Sequence, residues 1–159
     1  MEHRIRSAGI LIQDQSILLV KVRDFSGEYW IPPGGGFEIE DVSTKGCLRR
    51  EFVEEAGLEV EVGELICVRE FLETTAGRYN AEFFYHITSF SGTPHIDNLQ
   101  GLNDEELIQS VEWVSLEALP DLRTYPADLS SVIELVEQGK FATHLGSYIQ
   151  GNNDSVNHL

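Results

Sequence analysis

The run Pro32-Pro33-Gly34-Gly35-Gly36 constrains the fold of this chain more than any other segment. Proline lacks a backbone N–H and glycine lacks a side chain, so the run cannot form a regular helix or a central strand and predicts a loop. The apolar segments around Ile10 and Leu18, within residues 5–23, flank a polar turn, Gln13-Asp14-Gln15. This pattern predicts a β-hairpin before the loop.

A helix is predicted directly after the glycine run. Ser43 or Thr44 can cap its N-terminus, because either hydroxyl can accept a hydrogen bond from a free backbone N–H. Gly57 suits the left-handed conformation that commonly ends a helix. The apolar side chains expected to anchor this helix are Leu48, Phe52 and Val53.

The rest of the chain predicts further strands and helices, with no linker long enough to divide it. In chain order, these elements are strands at 58–71 and 81–90, a polar segment at 91–110, a short strand at 111–114, a helical turn at 115–119 and an amphipathic helix around 129–136. The pattern predicts one domain over residues 1–149, of the α/β (α+β) class with strands between helices, followed by a polar, frayed tail at 150–159.

The charge of the chain limits its partners. Eleven basic and 27 acidic side chains give a formal net charge of −16, which repels the phosphate backbone of DNA or RNA and argues against nucleic-acid binding. A phosphorylated small molecule would also be repelled unless local arginines or bound cations reverse the field. The two cysteines, Cys47 and Cys67, are expected to be small buried side chains in a reducing compartment. No segment predicts a membrane span or a leader, so a cytoplasmic location is expected.

Three carboxylates recur on the predicted helix with the spacing of a single face. Glu51, Glu54 and Glu55 stand at i, i+3 and i+4, where they repel one another unless a cation lies among them. Carboxylate oxygens are ligands that Mg²⁺ prefers. Arg50 lies four residues before Glu54 and is expected to pair with it, leaving the other two carboxylates for the metal. The alternative is an ordinary solvent-exposed acidic face.

The segment Arg50–Leu58 resembles the second half of the Nudix box, G-x5-E-x7-R-E-U-x-E-E-x-G-U, in which U is aliphatic; Phe52 is aromatic instead. The first half departs from the pattern. Strict spacing from Arg50 places Val42 at the first glutamate. One inserted residue places Asp41 there, and we prefer this alignment because it keeps an acid at that position.

Two segments outside the box extend the resemblance. Residues 30–36 resemble the W-x-PGG entry of the Nudix family, and residues 113–119 resemble its W-V-x-L-E-E-L element, so the likeness spans roughly residues 5–138. It implies an α/β/α sandwich with a mixed sheet, and hydrolysis of a nucleoside diphosphate linked to another moiety. It further implies one to three Mg²⁺ or Mn²⁺ ions held by Glu51, Glu54 and Glu55, with Arg50 orienting a glutamate.

Other residues are weaker candidates for the site. The backbone carbonyl of Gly35 is a candidate metal ligand, and the general base is expected to be a box glutamate, Glu105 or Glu106. The candidate substrate-binding residues are Arg23, Gly34, Gly35, Gly36, Glu38, Asp41, Glu82, Glu106 and Tyr125.

The substrate itself is not identified by the sequence. Thr74 and Thr75 stand where ADP-ribose hydrolases of the family place a proline, and Tyr79 comes too late for the tyrosine of dinucleoside polyphosphate hydrolases. The expected partner is a small nucleotide, and a homodimer is left open. Two other functions remain: a non-catalytic module that senses a nucleotide and regulates a partner, and an isomerase, for which Cys67 is the free candidate.

Overall fold

The computed structural model describes residues 1–149 and 156–159 of the chain. The strands and α-helices in this part are β1 (Glu2–Ile10), β2 (Ile12–Gln13), β3 (Ser16–Asp24), β4 (Gly27–Ile31), β5 (Gly34–Gly36), α1 (Thr44–Ala56), β6 (Glu59–Glu73), β7 (Arg78–Ser91), β8 (Ile108–Ser115) and α2 (Leu129–Glu137). Short 3-10 helices cover Ile39–Asp41, Asp97–Leu99 and Leu116–Asp121. The predicted α+β class is confirmed.

The strands form two sheets. The first has the order β5-β1-β7-β6, in which β1 and β7 run parallel and the other neighbours run antiparallel. In the second sheet, β3 pairs with β2, β4 and β8, all antiparallel. The first sheet is therefore mixed, as the sequence predicts.

The predicted N-terminal hairpin is present but much shorter than expected. Only β2 and β3 form it, with Ile12 opposite Ile17, and its turn residues Asp14 and Gln15 have positive φ angles of 50° and 61°. β1 instead joins the other sheet, between β5 and β7. Its last four residues are buried, so this segment pairs on both edges with strands distant in sequence rather than with its neighbour in the chain.

The prediction of a loop throughout the proline and glycine run is wrong for its second half. Gly34–Gly36 form the edge strand β5, with Arg6 opposite Gly36 and Ala8 opposite Gly34. A Cβ atom at Gly34 would collide with the backbone of Ser7 and Ala8, so glycine allows this close approach. The two prolines precede the strand, where the missing N–H breaks no pairing.

The two α-helices cover opposite faces of the strands. Along β3, Leu18 packs in the cluster that contains Phe52 of α1, whereas Ile17 and Leu19 pack in the cluster that contains Val132 of α2. Because side chains alternate between the faces of a strand, this pattern places α1 and α2 on opposite sides. The arrangement is the predicted sandwich of strands between helices.

The ends of α1 are as predicted. Ser43 Oγ accepts a hydrogen bond from Gly46 N at 3.0 Å, and Gly57 is left-handed with a φ of 67°. Phe52 is fully buried as expected, and so is Leu48. Val53, however, is 41% exposed and does not anchor the helix.

The C-terminal residues were predicted to be a frayed tail, and the two cysteines were predicted to be buried. Residues 150–155 of the predicted tail lie outside the described residues, whereas Asn157 forms a β-bridge with Tyr148. Both cysteines are free; Cys47 is buried as predicted, and Cys67 is half-buried. Among residues 1–149 and 156–159, no helix is long and apolar enough to cross a membrane.

Candidate active site

A cleft of about 540 Å³ opens between α1, β5 and the segment that precedes β8. Its arginines come from β1 and α1, and its carboxylates come mainly from α1. The charged and glycine residues along its walls are Arg4, Arg6, Gly34, Gly35, Gly36, Glu38, Arg50, Glu51, Glu54, Glu55 and Asp104. The fold thus brings the predicted glycine run and the predicted helical carboxylates to one place.

Arg50 is the centre of the polar network in this cleft. Its Nε and Nη2 donate to the two carboxylate oxygens of Asp41 at 2.7 and 2.9 Å. Nη1 donates to Glu51 Oε1 at 2.9 Å and to Glu54 Oε2 at 3.2 Å, and Nη2 also donates to Gly36 O at 2.9 Å. The predicted contact with Glu54 is present, but Arg50 also donates to Glu51, which was predicted to be free for the metal.

Asp41, rather than Val42, stands beside Arg50. Burial raises the pKa of the Asp41 carboxyl, but the hydrogen bonds from Arg50 and from Glu38 N, together with the charge of Arg50, hold that pKa below its ordinary value. Val42 is 42% exposed and has a positive φ of 66°, a conformation that β-branched residues rarely adopt. This geometry favours the alignment with one inserted residue. Asp41 accepts hydrogen bonds from Arg50 but is not itself one of the residues that line the cleft.

Asp41→Asn is expected to lower kcat by about tenfold or more, because an amide accepts from only one side of the Arg50 fork and loosens the arginine that holds Glu51. Val42→Ala is the matched control and should change mainly the free energy of unfolding. Steady-state kinetics and thermal melts of both variants test this expectation. A larger loss of kcat in Val42→Ala than in Asp41→Asn would favour the strict spacing.

Glu51 and Glu55 are buried, with exposed fractions of 7% and 3%. Burial chiefly, with a contribution from Glu54, raises the pKa of Glu51 to about 7, although Arg50 opposes the shift. The pKa of Glu55 is raised well above its ordinary value by burial and by the nearby Glu51. These two carboxyls are therefore not part of an ordinary solvent-exposed acidic face.

The glycine strand lies directly against these carboxylates. Gly34 N donates to Glu55 Oε2 at 3.0 Å, and a Cβ atom at Gly35 would collide with the carboxylate of Glu51. The carbonyl of Gly35, a predicted metal ligand, accepts a weak hydrogen bond from the Cys47 thiol at 3.7 Å. Burial first, and then Asp41 and Glu51, raise the pKa of Cys47 to about 12, so this thiol stays protonated.

The donor set fits a divalent cation, although it is not arranged as a finished coordination shell. Among the described residues, no three His, Cys, Asp or Glu side chains converge closely enough to hold an ion. On α1, Glu54 turns its carboxylate toward Arg50. The pair Glu51 and Glu55 still combines buried oxygen ligands with mutual repulsion, and a hard cation relieves that repulsion. These two residues, together with Glu54, would hold Mg²⁺ or Mn²⁺.

A second compartment, about 580 Å³ in volume, adjoins the cleft. Arg4, Arg6, Tyr29 and Ile31 line both compartments. The predicted residues Glu82 and Tyr125 lie in this second compartment, as does Arg123. Glu82 Oε2 accepts a hydrogen bond from Arg6 Nε at 2.7 Å, and the Arg123 guanidinium lies 5.2 Å from the ring centre of Tyr29 and 5.3 Å from that of Tyr125.

Three residues predicted to bind substrate, Arg23, Asp41 and Glu106, lie outside both compartments. Arg23 is exposed and pairs with Glu28 at 2.7 Å, because β3 directs it toward the neighbouring strand β4. Glu106 is exposed, and Glu105 accepts a hydrogen bond from Gly101 N at 3.0 Å within its own loop. Asp104 reaches the cleft in their place. These positions do not support substrate binding by Arg23, Asp41 or Glu106.

Arg4, Arg6 and Asp104 line the cleft but were not predicted from the sequence. A signal for the arginines was available, since Arg4, Arg6 and Ala8 alternate along β1 and therefore share a face. Two arginines on one strand face stand out in a chain of net charge −16. No comparable signal separates Asp104 from Glu105 and Glu106, because a loop has no side-chain period.

Buried carboxylates, glycine backbone and arginines in one cleft are the groups that can hold a divalent cation together with an anionic ligand. The comparison with protein families agrees: the model described as NUDIX domain matches residues 3–135. The chain belongs to the NUDIX family. A search of curated proteins returned no match.

Solved structures show the same fold. A MutT NUDIX hydrolase from Burkholderia pseudomallei is 25% identical, with 86% of this chain and 99% of that chain covered and a TM-score of 0.68. The E. coli ORF135 protein is 26% identical, with 88% and 93% covered and a TM-score of 0.66. A NUDIX hydrolase from Nitrosomonas europaea, 19% identical with 95% and 100% covered and a TM-score of 0.71, supports the fold alone.

Proposed function

We propose that this Nudix hydrolase uses Mg²⁺ or Mn²⁺ to hydrolyse a diphosphate bond in a nucleoside diphosphate linked to another group, such as a nucleoside triphosphate or a nucleotide sugar. The observation that carries the proposal is the buried pair Glu51 and Glu55, held between Arg50 and the glycine strand at the wall of the cleft. Of this pair, Arg50 donates to Glu51 only, and Glu55 forms no ion pair within the described residues, so burying both charges together is costly. A divalent ion and the phosphate that it binds account for both the carboxylates and the arginines.

The chain's own residues supply positioning and proton transfer. Arg50 fixes the Glu51 carboxylate, and Gly34 N fixes that of Glu55, so the oxygen ligands are oriented before the substrate arrives. The carboxylates that face the cleft, including Asp104, can accept the proton of an attacking water. A bound divalent ion would neutralise phosphate oxygens and activate water, which supplies much of what phosphoryl transfer requires.

Metal dependence tests the proposal. The purified protein is screened against nucleoside triphosphates and nucleotide sugars with Mg²⁺ or Mn²⁺, and release of phosphate or of nucleoside monophosphate is measured. Turnover should disappear in excess EDTA and return when Mg²⁺ or Mn²⁺ is restored, because the carboxylates cannot organise the diphosphate without a cation. Full turnover in excess EDTA would contradict the proposed mechanism.

The same screen separates catalysis from sensing. A sensing module would bind a nucleotide in calorimetry yet release no product with either ion at any tested pH. Detectable product that scales with enzyme concentration, and that is lost in Glu55→Gln, would assign the reaction to this cleft.

A further inference from the structure

Arg4 stands between the two compartments without a carboxylate partner. It lies on β1, is half-buried and lines both cavities. The other half-buried arginines of the described chain each have an acidic residue within 4.0 Å, as in the pair of Arg6 with Glu82. Within residues 1–149 and 156–159, the Arg4 side chain forms no ion pair and donates no hydrogen bond.

The backbone opposite Arg4 leaves room for its guanidinium. Gly36 of β5 lies beside it, and a Cβ atom at Gly36 would lie 2.8 Å from Arg4 Nε and Nη2. A side chain at position 36 would therefore push the guanidinium aside. Gly36 also accepts the hydrogen bond from Arg50, so Arg4 lies next to the residues that orient the carboxylates.

The surroundings of Arg4 disfavour its positive charge. Burial first, and then the neighbouring cations Arg6 and Arg78, lower the pKa of Arg4; the carboxylates of Glu73 and Asp104 oppose this shift but do not cancel it. A partly buried cation is normally paired, because removing a charge from water is costly. This protein has 27 acidic and 11 basic side chains, so acidic partners are plentiful. An unpaired arginine at the junction of two cavities therefore indicates that an anionic ligand binds there.

We propose that Arg4 binds the phosphate of the substrate that lies on the side of the second compartment, away from Glu51 and Glu55. The inference rests on the proposed function and extends it to a residue with no assigned role. Arg4 would hold one end of the diphosphate while the cation at the carboxylates holds the other. The group attached to that phosphate would then extend toward Tyr29 and Tyr125 in the second compartment.

Methylenediphosphonate tests this inference, because its P–C–P bridge resists hydrolysis and it carries no nucleoside. Calorimetric titration in Mg²⁺ should show that Arg4→Met weakens its binding by about tenfold or more, the effect of one charge-assisted contact. Arg4→Lys should retain part of the affinity. The matched control is Arg49→Met, since Arg49 is exposed on α1 and forms no ion pair within the described chain. It should bind as the wild type does.

A second variant removes the contact without removing the charge. Gly36→Ala displaces the Arg4 guanidinium and should also weaken the binding of methylenediphosphonate. In the Arg4→Met background, Gly36→Ala should cause little additional loss, because the contact is already absent. Additive losses in this double-mutant cycle would overturn the proposed role of the Gly36 space.

Stability separates a ligand-binding arginine from a structural one. Arg4→Met should leave the melting temperature of the ligand-free protein unchanged or raise it, whereas a structural arginine would lower it. With the substrate found in the screen, KM should rise about tenfold while kcat changes little, as expected for a contact kept from ground state to transition state. Wild-type affinity of Arg4→Met for methylenediphosphonate would overturn this inference alone. A wild-type protein that binds no diphosphonate and hydrolyses no substrate would instead overturn the proposed function.

Discussion

Glu55→Gln is expected to lower turnover by at least about a hundredfold, because a neutral amide is a poor ligand for the ion that activates water. Glu55 is the most buried carboxylate of the cleft, with an exposed fraction of 3%. Glutamine can still accept the hydrogen bond that Gly34 N donates at 3.0 Å. The substitution therefore removes charge while preserving shape and contact, and the assay on the screened substrate measures its effect.

The same variant should gain stability in the absence of metal. Burial and the nearby Glu51 disfavour the charged form of Glu55, so a permanently neutral side chain should leave the apo melting temperature unchanged or raise it. Metal that binds only the native state stabilises the wild type by RT ln(1 + [L]/Kd), about 2.7 kcal/mol at a hundredfold excess over Kd. Glu55→Gln should lose most of that gain.

Glu134→Gln is the control for these melts. It makes the same change of charge at an exposed position of α2, on the opposite face of the strands. Its turnover and its metal-induced stabilisation should equal those of the wild type. If Glu55→Gln also keeps both properties, Glu55 is not a metal ligand and the site assignment fails at its centre.

Local signals in the sequence predicted most elements of this fold. Ser43 and Gly57 set the ends of α1 correctly because capping depends on a few adjacent residues. The pairing of β1 was not predicted, because the residues of an apolar strand do not indicate which distant strand it pairs with. The strand at Gly34–Gly36 was missed for a related reason, since glycine is unfavourable in strands except where a neighbouring backbone approaches closely.

The part of the site that could be predicted from the sequence is the set of glutamates on a single helix. Glu51, Glu54 and Glu55 lie on one helix, so their common face follows from helix geometry. Their burial does not follow, because it depends on the glycine strand packed against them. Arg4 lies on β1, and it approaches the carboxylate site only because β1 pairs with β5. That pairing could not be predicted from the sequence.

Arg50→Lys is expected to lower kcat by about a hundredfold, although it conserves the charge. The planar guanidinium donates at once to Asp41, Glu51 and Gly36, and a lysine ammonium cannot reproduce this fork. Glu51 would lose its orientation even where the ion still binds. Steady-state kinetics should therefore show a loss mainly in kcat, with a smaller change in the affinity for Mg²⁺.

Stability distinguishes the charge of Arg50 from its shape. Arg50→Met leaves the buried Asp41 and Glu51 carboxylates without their cation and should lower the free energy of unfolding by about 3 kcal/mol in the absence of metal. Arg50→Lys should lower the free energy of unfolding by clearly less, because the positive charge remains. Arg49→Lys, at an exposed position next in sequence, should match the wild type in both measurements. If Arg50→Lys turns over as fast as the wild type, the forked contacts of Arg50 do not organise the site, and its role reduces to charge balance.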